Sequence, residues 1–504
     1  MRQAGLAGRR NKGGTDNKFV PGPNLRAIGR NGGLINMNFD KNHYVIKELR
    51  LGEETLRYRA FLNLVYVDKP VNPPYQQMHI FAPEIYYEGG RINGYGIDSA
   101  PIFMPNYVGG YMPGDLEEPG YGKFEPDKPN AIFKALVHGY VVAVPAIRGR
   151  VQKDEKGLYN GKAPACIVDY KAAVRYLRHF AGELPGDKDK IITNGTSAGG
   201  ALSSLMGTTG NHADYEPYLE ALGAAKERDD IFGASCYCPI INLDHADMAY
   251  EWQFQKVNDY HRMNMRMNEG GRPSFTPVDG QMNDVQIKAS GEEAALFPFY
   301  LNSLKLRDEA GNPLTLDEKG EGSFKEYLKK LVLASAQRAL DKGKDLSEKT
   351  WLSVEKGKAA DMDFENYVRD ITRMKTAPAF DDLTMDSPEN DLFGNETTNC
   401  RHFTKYSRDN SLTGGSMADE MTIKMMNPMY YVEEEGAVKA KHFRIRHGER
   451  DRDTSLSISA MLTLKLRNCG FDVDYHSPWD TPHAGDYDLE ELFTWIDDIC
   501  RRAV

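Results

Sequence analysis

"KIITNGTSAGGALSSL", residues 190–205, joins an apolar, β-branched run to a string of small helix-forming residues through a serine set between glycines. Gly195-Thr196-Ser197-Ala198-Gly199 fits G-x-S-x-G, the pattern of a sharp strand-to-helix turn. In such a turn the flanking glycines let two backbones pass closely, and the serine hydroxyl projects above the sheet. The helix N-terminus beneath it favours negative charge developing nearby. The plainer alternative is a Ser or Thr helix cap beside a packing glycine. Because "KIITN" reads as a strand and "ALSSLM" as a helix, the local context is the one the sharp turn requires.

Outward from this turn, short apolar runs recur: "HIFAPEIYY" from His79, "APIFMPN" from Ala100, "YVVAVPA" from Tyr140, "IFGASCYCPI" from Ile231, "HFRIRHG" from His442 and "FDVDYHSPW" from Phe471. Continuous rather than alternating, they read as strands buried on both faces. Helical patterns lie between them. In "APACIVDYKAAVRYLRHFAGELPG", Ile167, Tyr170, Val174 and Leu177 share one face, and Pro185-Gly186 predicts the stop. "DLEELFTWIDDICRRA" near the C-terminus predicts another amphipathic helix capped by Asp488. Alternation of this kind implies an α/β fold with a mostly parallel central sheet.

The rhythm breaks between residues 241 and 414, where charge, Met and isolated helices dominate. "SFKEYLKKLVLASAQRALDKG" opens with Ser323 and Glu326 at capping-box spacing and closes on Gly343. A long structureless loop is rare in a compact domain, so a large, mainly helical inserted domain is expected. The expected organisation is an N-terminal arm over 1–45, flexible or lying on the surface, a core over 46–240, the insertion over 241–414, and the rest of the core over 415–504.

The 504-residue chain carries a formal charge of −10, with a pI near 5.7, and no clustered basic stripe. That argues against nucleic acid as a partner, since binding a polyanion requires grouped Lys and Arg. No apolar run approaches a membrane span or a secretory leader, which implies no membrane association and favours the cytoplasm. A leader trimmed from the sequence would instead imply a secreted or periplasmic protein. The six cysteines are too sparse for a disulfide framework and are expected as buried free thiols. "CYC" at 236–238 lacks companions at zinc spacing, and strand alternation would send both sulfurs to one face, so no metal is expected.

A serine hydroxyl becomes a nucleophile only when a histidine takes its proton and an acid orients that histidine. In α/β-hydrolases the order is Ser, acid, His. "RHGERDRDTS" supplies Glu449, Asp451 and Asp453 after one strand, and spacing alone does not choose among them. "WDTPHAGDYD" supplies His483 after the last predicted strand, bracketed by Pro482 and Gly485; an exposed turn histidine is the bland reading. Two N–H donors must also meet the oxyanion. Ala198 offers one, and Gly109 or Gly110 in "MPNYVGGYMPG", residues 104–114, offers the other.

Taken in order, "MPNYVGGYMPG", "AIRGR", "IITNGTSAGG", "YCPI", "HADMAYEWQF", "TRMKTAPAFDDLTMDSPENDLFG", "RIRHGERDRDTS" and "PWDTPHAGDYDLEELFTWID" closely resemble bacterial tannases from about Pro101 to the C-terminus. The resemblance implies an α/β-hydrolase with a large lid, a triad of Ser197, Asp451 and His483, and an oxyanion hole of Ala198 and Gly110. It also implies that Lys375, Glu389 and Asp453 bind the phenolic hydroxyls of a galloyl ring while Ile240 and Pro388 sandwich it. Without the resemblance those three charges read as solvated surface groups. The implied activity is a cofactor-free monomeric serine esterase for galloyl esters, its partner a small phenolic ester. Rival readings are a feruloyl or general carboxyl esterase with the same triad, and a noncatalytic ligand-binding relative. Fungal tannases and related feruloyl esterases place cysteines beside Ser and His; here those neighbours are Thr196 and Ala484, which favours the bacterial group.

Overall fold

The computed structural model describes residues 37–123, 126–267 and 273–502. Nine strands form one sheet: β1 (Val45–Leu51), β2 (Glu54–Val65), β3 (Gln77–Pro83), β4 (Pro101–Pro105), β5 (Val141–Pro145), β6 (Asp187–Thr196), β7 (Gly233–Tyr237), and two late strands. Between β7 and those late strands lie two small hairpins, β8 (Asp259–Met267) with β9 (Pro273–Gln281) and β10 (Leu352–Glu355) with β11 (Lys358–Met362). The chain then returns to the sheet through β12 (His442–Arg446) and β13 (Asp472–His476).

The sheet order is β1-β2-β3-β5-β4-β6-β7-β12-β13. From β5 to β13 all neighbours are parallel, whereas β1, β2, β3 and β5 pair antiparallel. This is the expected mostly parallel α/β-hydrolase sheet. All five residues of each of β4, β5 and β7 are buried, as continuous apolar strands require. The antiparallel pair β1 and β2 escaped the sequence reading because half-exposed, charge-rich strands do not look like buried ones.

Between Tyr237 and His442 the described residues add no strand to this sheet. Helices predominate there, including Leu243–Phe254, Asp284–Ser303 and Ser323–Asp341, and the two hairpins stand among them. Most of the expected arm, residues 1–36, lies outside the described residues. Phe39, just after them, is buried with its ring 5.1 Å from that of Phe61.

Several local expectations are corrected by tertiary packing. The helix begun at Ala165 ends at His179, before Pro185, and Ala165–Arg178 is buried all round rather than on one face. Its polar side is covered because its charges are paired inside: Asp169 with Arg148, Lys171 with Asp229, and Arg175 with Asp229 and Glu216. Ser323 does not cap its helix. Its hydroxyl bridges Thr315 N and Pro313 O, and Gly322 occupies the cap position. Asp488 precedes the Leu489–Arg502 helix as expected, but its carboxylate accepts from Tyr237, Arg444 and Arg446. Four cysteines are buried, whereas Cys469 is exposed and Cys400 half-buried. Among the described residues no helix is long and apolar enough to cross a membrane.

One buried pair holds the inserted helices to the segment that follows them. Arg373 Nη2 lies 2.7 and 2.9 Å from the two oxygens of Glu251, both side chains are fully buried, and Arg373 Nε donates to the Lys375 carbonyl at 2.7 Å. Arg373→Met leaves the Glu251 charge uncompensated and is expected to lower stability by about 3–5 kcal/mol in urea unfolding. Arg373→Met with Glu251→Gln should recover most of that loss; no recovery would show that the pair's charges are not what matters.

Candidate active site

Ser197 stands between β6 and the Ala198–Thr208 helix with φ 62° and ψ −122°, a conformation L-residues rarely adopt. Its side chain makes no capping hydrogen bond and the residue is half-buried, which sets aside the helix-cap alternative. The strain is held by the backbone: Ser197 N donates to Tyr237 O at 3.0 Å, and Ile240 N donates to Ser197 O at 3.2 Å. Glycine is required on both sides by close approach. A Cβ on Gly195 would lie 2.3 Å from Gly199 O, and one on Gly199 would lie 2.5 Å from Asn106 Oδ1.

Asn106, just after β4, binds the elbow to the loop that carries Gly109 and Gly110. Its Nδ2 donates to Asn194 O at 3.1 Å and Gly199 O at 3.0 Å. Ala198, 1% exposed, opens the helix, and its N–H is among those that have no partner one turn back. Gly110 has φ 53°, and the Gly109 carbonyl accepts from Met112 N at 2.9 Å.

The loops after β12 and β13 lie against each other. Glu449 N donates to Pro478 O at 2.9 Å and Arg450 N to Thr481 O at 3.0 Å. That contact brings His483 Nδ1 to 2.8 Å from Asp451 Oδ2. Asp451 is buried, and its Oδ1 accepts from Asp453 N at 2.9 Å. The His483 loop is fastened to the elbow: Asp486 accepts from Asn194 Nδ2 at 2.9 Å, and a Cβ on Gly485 would collide with Thr196 Oγ1. Of the three acids left open by spacing, Asp451 holds His483, Asp453 pairs with Lys375, and Glu449 accepts from Asp480 N. Burial pushes the Glu449 carboxyl up to about 7.

Lys375 Nζ lies 2.9 Å from Asp453 Oδ1 and 3.9 Å from the centre of the Phe380 ring. Asp453 Oδ2 is 3.9 Å from His483 Nε2, so Asp453 stands between the ammonium from the inserted segment and the imidazole. Tyr250, which sequence reading missed, fixes this junction: its hydroxyl accepts from Lys375 N at 3.2 Å and donates to Arg452 O at 2.9 Å. Glu389 is buried in the Pro388–Leu392 helix, close enough to Lys375 for their charges to interact. Pro388 begins that helix and is exposed; Ile240 is buried beside Ser197.

The charges balance against burial. Desolvation alone would lower the His483 imidazolium, but Asp451, then Cys238 and Asp453, outweigh it and hold it well above its ordinary value. Desolvation would raise Asp453, yet Lys375 and His483 keep it well below the usual carboxylate range. Lys375 is held above its ordinary value against its own burial, by Asp453 and then Glu389. Glu389 is pushed up by burial, with Lys375 opposing.

Cys238 is a further neighbour that sequence placed differently. It lies beyond the end of β7 with φ 36°, so strand alternation does not govern it, and its Sγ turns to 3.9 Å from His483 Nε2. Sulfur, imidazole and Asp451 carboxylate offer donor atoms within 4.8 Å of one another, a set that could also hold a cation. The Asp451 hydrogen bond to Nδ1 and the Cys238 Sγ contact with Ala484 O at 3.4 Å account for these groups without one.

The BD-FAE family model matches residues 109–236, the stretch that contains Gly110 and Ser197. A search of curated protein sequences gives no match. Among solved structures, tannase from Lactobacillus plantarum superposes with TM-score 0.90 at 45% identity, covering 92% of this chain and all of that one. The chain belongs to the bacterial tannase family. Fusobacterium nucleatum tannase is similar at 47% identity and TM-score 0.88, covering 92% of this chain and 100% of that one. A tannin acyl hydrolase solved in complex with ethyl gallate is 45% identical with TM-score 0.87, covering 92% of this chain and 99% of that one.

For this tannase-family site the electrostatics give a direct expectation. Followed by NMR, the His483 ring should titrate above the ordinary imidazole value of about 6.5, and Asp453→Asn should move that titration to lower pH by removing one of the negative charges that favour the protonated ring. An unmoved titration would show that the Asp453 field does not reach the ring.

Proposed function

We propose that this chain is a serine esterase that hydrolyses galloyl esters to gallate and an alcohol, with Ser197, Asp451 and His483 as triad. The observation that carries the reading is the Lys375–Asp453 pair, which stands beside His483 rather than on a distant face. The tannin acyl hydrolase in complex with ethyl gallate supports the same substrate class.

In the proposed reaction neutral His483 Nε2 accepts the Ser197 hydroxyl proton as Oγ attacks the ester carbonyl carbon. Negative charge moves onto the carbonyl oxygen, which the Ala198 and Gly110 N–H groups receive. As the tetrahedral species collapses, the C–O bond to the alcohol breaks and His483 returns the proton to the leaving oxygen. Water then repeats the sequence on the galloyl-enzyme, releasing gallate. Asp451 keeps Nδ1 protonated and turned away from the serine. No cofactor enters these steps.

Ring recognition is shared in this reading: the inserted lid, residues 241–414, supplies Lys375, Glu389 and Pro388, and the core supplies Asp453 and Ile240. Lys375 donates to a phenol oxygen, while Glu389 and Asp453 accept phenolic O–H bonds. Ile240 and Pro388 supply flat apolar contacts. A site that pairs with hydroxyls disfavours analogues lacking them, by as much as about 10⁴-fold, because its own polar groups are then left unmatched. That distinguishes the reading from a feruloyl or general carboxyl esterase. In this reading the active unit is a monomer.

Ser197→Ala should abolish hydrolysis of methyl gallate while calorimetry still detects gallate binding; loss of both would make the serine structural. Lys375→Ala and Glu389→Ala should raise KM for methyl gallate about 10-fold or more and change p-nitrophenyl acetate hydrolysis far less, since they act on the ring and not the ester carbon. Equal losses on both esters, or a wild type that prefers methyl benzoate to methyl gallate, would contradict the assignment.

A further inference from the structure

Gly110 is fixed from both sides. Met112 N donates to the Gly109 carbonyl at 2.9 Å, and Arg150 Nε donates to the Gly110 carbonyl at 2.8 Å. A trans peptide points its N–H opposite its C=O, so holding Gly109 O inside the turn directs the Gly110 N–H out of it. Tyr111 follows with φ 55°, and its carbonyl accepts from Arg150 N at 3.0 Å. Met112 N thus holds the peptide that enters Gly110, and Arg150 holds the two peptides that leave it.

The same guanidinium reaches the other way. Its Nη1 pairs with the Asp391 carboxylate, on the Pro388–Leu392 helix and two residues beyond Glu389. Asp391 is gripped again by Lys162, whose Nζ pairs with the carboxylate, donates to the Asp391 carbonyl at 2.7 Å and reaches Asn399 Oδ1 at 3.1 Å. Ala163 N adds a bond to Leu392 O at 3.0 Å. The side chains of Arg150, Asp391 and Lys162 are 16%, 11% and 5% exposed, so these pairs are largely withdrawn from solvent screening.

We propose that Arg150 is a positioning residue for the esterase reaction, setting the direction of the Gly110 N–H according to where Asp391 holds the helix that bears Glu389. The inference rests on the reading above that this N–H receives the oxyanion. It makes ring recognition and oxyanion stabilisation one mechanical unit: the helix that meets the ring also anchors the arginine that orients the donor. Substitutions in the clamp therefore act on every acyl group, unlike substitutions at Glu389, which act on the ring alone.

The test compares Arg150→Lys and Asp391→Asn with the wild type on methyl gallate and p-nitrophenyl acetate, with the melting midpoint of each recorded. For both variants kcat should fall about 10-fold or more on both esters, short of the roughly 100- to 1000-fold typical of losing an oxyanion donor outright. KM for methyl gallate should change far less in Arg150→Lys, where Lys162 still holds Asp391, than in Asp391→Asn, and inhibition by an aryl trifluoromethyl ketone, which forms an oxyanion, should weaken in parallel with kcat. Unchanged kcat on both esters, or a loss confined to methyl gallate, would overturn the proposal. If Asp391→Asn melts below the assay temperature because the buried Lys162 is left unpaired, Arg150→Lys decides alone. A wild type that cleaves the acetate but not the gallate would sink the galloyl reading, while the acetate still reads the clamp.

Discussion

At the end of β6 two stretches of backbone cross so closely that neither Gly195 nor Gly199 has room for a Cβ, and this crossing holds Ser197 at φ 62°, ψ −122°. Such a conformation costs about 1–3 kcal/mol and persists only where surrounding bonds over-determine it. Here Tyr237, Ile240 and Asn106 do so, the first two through the Ser197 backbone and the third through Gly199. Sheet, histidine loop and the Gly109–Gly110 turn are all fastened to the same few residues. The hydroxyl is left free because no helix-capping bond claims it.

The second organising feature is charge placed where water is scarce. Asp453 faces the Lys375 ammonium at 2.9 Å and the His483 ring at 3.9 Å, and so links the group that would recognise the acyl ring to the group that would move protons. Its field supports a protonated imidazole, as the transition state requires, and steadies an ammonium that the inserted segment must bring to the core. Tyr250 and the Arg373–Glu251 pair hold that segment from behind. The position of Lys375 thus depends on buried polar bonds of its neighbours.

Much of this was legible in the sequence. Continuous apolar runs marked β3 to β7 and the two late strands because both faces of a parallel sheet are covered, and G-x-S-x-G marked the elbow because its glycines answer a steric demand. The order of acid and histidine was visible, but the choice of Asp451 over Glu449 depends on how two loops zip together, which spacing does not encode. Lys375 and Glu389 carried no local signal, since a lysine and a glutamate in a charged insertion look like surface groups until folding buries them. Ser323 misled because a capping-box spacing is only a local preference, and the neighbouring loop recruited its hydroxyl instead. Asn106, Arg150, Tyr250 and Asp391 went unread for the same reason: their importance lies in partners far along the chain.

The central claim is that one cavity holds the serine, the imidazole and the charged trio in register with a trihydroxylated aromatic ester. A crystal structure of Ser197→Ala soaked with methyl gallate addresses it most directly. The account predicts the ester carbonyl oxygen within hydrogen-bond distance of the Ala198 and Gly110 N–H groups, with the phenolic oxygens on Lys375, Glu389 and Asp453. A ring bound elsewhere, or bound with its hydroxyls toward His483 and its ester toward solvent, would contradict it.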